Sequence, residues 1–99
     1  MLTFTQAQDL LGVRQSKNLE NNTKLVRLTP NQLAVTLHGN VVVRINRDGS
    51  YILHTGGWRT MTTKDRLCRY SPVGVFQKAG EWFLNLPTPV PFVDGIQVG

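Results

Sequence analysis

Cysteine is nearly absent. Cys68 stands alone, so no intrachain disulfide can form. One free thiol fits a reducing compartment, and the neighbouring Leu67 predicts that it is buried and inert. Histidine is scarce too, with only His38 and His54. Neither falls in a His-Glu-x-x-His pattern, and a lone cysteine excludes a cysteine-rich zinc site, so no metal is expected. The six carboxylates include turn, cap and tail positions: Asp48 in a hairpin, Asp65 at a helix start, Asp94 near the end. No acid pair suggests glycoside chemistry. Gly56-Gly57 lacks the lysine spacing of a phosphate-cradling loop. A Cys68–His nucleophile is disfavoured by the apolar helix face expected around the thiol. These absences predict a protein without catalysis and without a cofactor.

Long apolar runs are also missing. No stretch of about 18 such residues exists, so nothing here is expected to span a membrane. Met1-Leu2-Thr3-Phe4-Thr5-Gln6 lacks the basic and apolar regions of a signal peptide, which predicts a cytoplasmic location. Charged residues make up only 17%, too few for a highly charged disordered chain, and the 40% apolar share supports a core. Ninety-nine residues suit one small domain that folds without staples.

What is present is a chain of strand signals between two short helices. Thr3-Phe4-Thr5-Gln6 and Thr5-Gln6-Ala7-Gln8 both fit a capping box, and Gly12 is a natural stop. Phe4, Ala7, Leu10 and Leu11 are expected to dock on a sheet. Residues 14–23 are poor in apolar side chains and read as a surface loop, a solvated linker more readily than an extension of a basic surface through Arg14 and Lys17. Lys24 to Leu28 is the first strand, and Thr29-Pro30-Asn31-Gln32 the turn after it. Leu33, Val35 and Leu37 then alternate with more polar residues, as do Val41, Val43 and Ile45 after the His38-Gly39-Asn40 connection. Asn46-Arg47-Asp48-Gly49-Ser50 fits a type I turn closed by a left-handed glycine, pairing Ile45 with Tyr51 and Val43 with Leu53. This register leaves Arg44 and His54 on the more polar face.

Gly56-Gly57 breaks the run. Trp58-Arg59-Thr60-Met61 is expected as a short strand or edge. A helix from about Thr63 to Tyr70 follows, capped by Thr62 with Asp65 and ended by Ser71-Pro72. Leu67 and Tyr70 are expected to face inward, with Arg66 and Arg69 on a more exposed face. Val75 to Lys78 and Trp82 to Asn85 form a final hairpin. The proline-spaced tail should be extended, either docked over the sheet edge through Val90 and Phe92 or loose. The expected fold is α+β: a single domain with a twisted, mainly antiparallel sheet of five or six strands, an N-terminal helix and a short helix after Trp58. Residues 1–20 supply the N-terminal helix and loop, 21–86 the β-rich core and 87–99 the extended tail.

The charge balance is basic, eleven Lys and Arg against six Asp and Glu, which favours anionic partners. Its densest part holds Arg59, Lys64, Arg66 and Arg69, opposed only by Asp65. Arginine forks and a lysine point charge suit phosphate oxygens. Tryptophan is more often a core residue, but an exposed Trp58 beside Arg59 could stack on a base. The candidate contact residues are therefore Trp58, Arg59, Lys64, Arg66 and Arg69.

Asn21-Asn22-Thr23, the Leu33-Ala34-Val35-Thr36-Leu37-His38 strand, the Asp48-Gly49 turn, and Gly56-Gly57-Trp58-Arg59-Thr60 followed by Thr62-Thr63-Lys64-Asp65-Arg66 together resemble a group of short proteins of tailed bacteriophages and prophages. The likeness covers residues 21–82 and leaves out the N-terminal helix and the tail. It supplies no catalytic residue. It implies an accessory protein at work in the cytoplasm of a bacterial host. Three partner readings follow: nucleic acid, an acidic face of a host or phage protein such as a defence or replication complex, or other copies within a virion.

Overall fold

The computed structural model describes residues 1–99. Its first element is a helix, α1 (Phe4–Leu11). Of the two possible starts the chain uses Thr3. The Thr3 hydroxyl accepts from the Gln6 amide, and the Gln6 side chain accepts from the Thr3 amide. Each thereby satisfies a donor that a helix start leaves free. Gly12 ends the helix at φ +59°. Ala7 and Leu11 are buried and Phe4 half-buried, but Leu10 is exposed, against expectation. A helix this short rests on a narrow stripe, and Leu10 lies about 100° round from Leu11.

Five strands follow: β1 (Ser16–Glu20), β2 (Thr23–Thr29), β3 (Gln32–Leu37), β4 (Asn40–Asn46) and β5 (Tyr51–Leu53). Then come α2 (Met61–Tyr70), β6 (Val75–Lys78), β7 (Glu81–Leu84), β8 (Val90–Pro91) and β9 (Ile96–Val98). The main sheet is antiparallel, six-stranded and ordered β1-β2-β3-β4-β5-β9. The class is α+β, as expected. Not expected is a separate three-stranded sheet, β6-β7-β8, built from the final hairpin and part of the tail.

The reading of residues 14–23 as a loop is corrected by β1, where Lys17 pairs with Leu25. An edge strand needs little apolar content, and Asn22 at φ +55° makes the tight turn that joins it to β2. The Asn46–Ser50 hairpin has the expected register, Ile45 opposite Tyr51 and Val43 opposite Leu53. The Asp48 carboxylate accepts from both the hydroxyl and the amide of Ser50, which holds its pKa below the ordinary value.

Leu25, Leu33, Val35, Leu37, Val43, Ile45, Tyr51 and Leu53 fill the inner face of the sheet. Both helices cover this face: α1 contributes Ala7 and Leu11, and α2 contributes Leu67. Val41, expected inside with Val43, is only half-buried, and Val42 is buried in its place. The cause is a bulge. Val35 pairs with Val43 while Thr36 pairs with Val41, leaving Val42 as the extra residue.

After the glycine pair, at φ +68° and +89°, the segment from Trp58 to Thr60 forms no strand. Helix α2 begins earlier than expected, at Met61, because Thr60 rather than Thr62 caps it; the Thr60 hydroxyl accepts from the Thr63 amide. The tail is ordered. Val90 and Pro91 pair with β7 on an edge where a missing amide does no harm. Phe92 is buried against Trp82, and β9 closes the main sheet beside β5. The Asp94 carboxylate fixes the return by accepting from the Thr55 amide at 2.6 Å and the Thr55 hydroxyl at 3.2 Å.

Candidate functional site

The five candidate residues separate into two groups along α2. Arg66 and Arg69, expected to face a partner, are held in ion pairs within the chain. Arg66 is only 11% exposed; it pairs with Glu20 at 3.3 Å and with Asp65, and its Nε donates to the Thr23 hydroxyl at 2.8 Å. Arg69 pairs with the same Glu20 at 2.6 Å and with Asp65 at 3.2 Å. The Tyr70 hydroxyl donates to the other Glu20 oxygen. That hydrogen bond, followed by the one from Arg69 and by the charges of Arg66 and Arg69, holds the Glu20 carboxyl below its ordinary value near 4.5. Burial and the adjacent carboxylate push the Tyr70 phenol up to about 12. The cluster clasps the edge strand β1 to α2. Glu20 was invisible to sequence reasoning because it lies 49 residues from Arg69 in a stretch read as loop.

Trp58, Arg59 and Lys64 remain at the corner. Trp58 is 67% exposed, so the usual core role does not apply to it. The chain turns outward at Gly56-Gly57 before it enters α2. Arg59 lies over the rings of Trp82 and Phe92, 5.5 and 5.6 Å from their centroids, and Lys64 lies 5.6 Å from the Trp82 ring. Such contacts position a cation without neutralising it. Neither residue has a carboxylate partner, because all four ion pairs of the chain belong to Arg66 and Arg69. Met61, 82% exposed, adds apolar surface next to Trp58.

A cleft of about 540 Å³ opens beside Trp58. Leu37, Val42 and Trp58 supply its apolar lining; the rest comes from the His38–Asn40 turn, Thr55 and the threonines that start α2. Thr60 and Thr63 share a hydrogen bond of 3.1 Å, and the Thr55 hydroxyl is taken by Asp94 and the Gly57 amide. The side chains of His38, Asn40 and Thr62 make no hydrogen bond within the chain. The turn and the corner touch: a Cβ on Gly56 would stand 3.0 Å from that of Asn40. Nothing in the sequence pointed to this cleft, because its two sides come from separate hairpin and helix segments.

The histidines do not meet. His38 is exposed in its turn at φ +51°, while His54 is half-buried next to Arg44 and Asp94. Burial, with the Arg44 charge, lowers the His54 pKa, and its Nε2 is buried without a partner. Cys68 is exposed rather than buried, since it follows the fully buried Leu67 by one helix position. Its sulfur accepts from the Val75 amide at 3.2 Å.

Fold and corner together define a small α+β protein that exposes Trp58 and, in the same segment, carries two cations free of carboxylates. A model of the Kyanoviridae Gp96 protein family matches residues 4–99. The chain belongs to that phage protein family, and the match takes in α1 and the tail, which the resemblance over residues 21–82 left out. No curated protein and no solved structure matches the chain.

Proposed function

We propose that this phage protein is a non-catalytic accessory protein that binds single-stranded nucleic acid through Trp58, Arg59 and Lys64 in the host cytoplasm. The observation that carries the reading is an exposed Trp58 directly before Arg59 in the chain, where Arg59 and Lys64 both sit on the Trp82 ring with no acidic partner. Aromatic stacking is worth about 1–3 kcal/mol per base and tolerates any sequence, and unpaired cations supply the attraction to phosphate. Arg66 and Arg69 are left out of the binding face, because a phosphate would have to displace Glu20 and Asp65 to reach them.

The test is affinity capture from host lysate with and without nuclease, using wild type and Trp58→Ala. Recovery of nucleic acid by wild type and not by the variant supports the reading. A second reading, an inhibitor that binds a host protein, is favoured by the apolar exposure of Met61 beside Trp58, a pairing suited to an interface anchor. Recovery of one defined protein despite nuclease would favour it instead.

A further inference from the structure

We infer that the cleft beside Trp58 receives one unstacked base of the bound strand, with Asn40 reading the edge of that base. The inference rests on the single-strand reading of this corner and adds to it a pocket and a recognition residue.

The cleft has a suitable size, since its volume of about 540 Å³ falls in the range of roughly 300–1,000 Å³ common for small-molecule sites. Its chemistry narrows the occupant further. No Lys, Arg, Asp or Glu lines it, so the group inside is neutral, and a phosphate or a metal ion would find no countercharge there. Leu37, Val42 and Trp58 offer apolar surface to the faces of a flat ring. The cations stand outside the lining, at Arg59 and Lys64, where the backbone of a strand would pass.

The polar groups divide in the same sense. Thr55, Thr60 and Thr63 are already bonded and only shape the cleft. His38, Asn40 and Thr62 hold unused donors and acceptors. An amide presents a donor and an acceptor side by side, the pattern that matches N6 and N7 of adenine. Asn40 is also well placed to discriminate, because it begins β4, pairs with Leu37 in the ladder and abuts Gly56. A reader held on a rigid element gives up little freedom when the base arrives.

The experiment is a set of fluorescence-anisotropy titrations with three probes of equal length: a deoxyadenosine homopolymer, a deoxynebularine homopolymer, whose purine lacks the N6 amine, and an abasic sugar–phosphate chain. Wild type should bind the adenine probe at least about tenfold more tightly than the abasic one, and more tightly than the nebularine probe. Asn40→Ala should erase the difference between the two bases and leave abasic affinity unchanged. Thr62→Phe, which fills the cleft from the helix side, should reduce both base-bearing probes to the abasic level. Thermal melts of both variants check that the fold persists. Equal affinity for abasic and adenine probes would overturn the base pocket while leaving phosphate binding in place. A preference that survives Asn40→Ala would overturn the role of that residue. No binding of any probe would overturn both this inference and the nucleic-acid reading beneath it.

Discussion

Glu20 on the edge strand β1 meets three side chains of α2. Its carboxylate accepts from Tyr70 and Arg69 and pairs with Arg66 at 3.3 Å, and so joins an edge strand to a helix. Its folded pKa is depressed, so the stability it contributes is fully present above the ordinary value near 4.5 and is lost as pH falls through the lowered one. Melts recorded as a function of pH should therefore show a decline below about pH 4.5. Glu20→Gln should lower the neutral-pH midpoint by at least about 4 °C and flatten the acid decline. An acid profile identical to that of wild type would show that the clasp is not what titrates. Removing this partner also takes from Arg66, only 11% exposed, one of its two countercharges and leaves it Asp65 alone.

At the scale of elements, α2 serves two ends. Its N-terminal turn borders the cleft and carries Lys64, while its C-terminal half is fastened to β1. The entry to the helix depends on Gly56, at φ +68° and packed closely against Asn40. Gly56→Ala should cost about 1–2 kcal/mol from the backbone alone, with a further penalty from crowding Asn40, as measured by denaturant unfolding. The same change should weaken binding at the corner, because Trp58 and the cleft turn on that residue. The sequence showed clearly those elements whose signals are local. Asn46–Ser50 has its own turn chemistry, and Thr3 with Gln6 its own cap. What it hid was decided at a distance. Ser16–Glu20 is a strand because β2 offers it a ladder, not because of its own apolar content. Val42 is buried because a bulge shifts the pairing. Trp58 is exposed because two left-handed glycines turn the chain away from the core.

For the molecule as a whole, the tail is a structural closure rather than an appendage. Phe92, 4% exposed, packs edge-to-face on Trp82 with ring centroids 6.1 Å apart and also lies beneath Arg59. Phe92→Ala should destabilise the domain by about 3–5 kcal/mol, read from denaturant midpoints, and should loosen Arg59 at the corner. A change below about 1 kcal/mol would mean that the second sheet is peripheral to the core. The candidate site was half legible in the sequence. Trp58, Arg59 and Lys64 stood out by composition alone. The ion pairs that withdraw Arg66 and Arg69 depend on Glu20, brought there by topology. The cleft depends on the His38–Asn40 turn meeting the glycine corner.

The central claim is that the cations of this segment have divided roles, two facing a partner and two holding the fold. It is tested most directly by titrating a single-stranded oligonucleotide at several salt concentrations with wild type and an Arg59→Ala/Lys64→Ala double variant. The predicted result is salt-sensitive binding by wild type, a log–log slope shallower in the variant by about 0.7 for each phosphate no longer neutralised, and a nearly unchanged melt. An unaltered slope in the double variant, or no binding by wild type, would contradict the account.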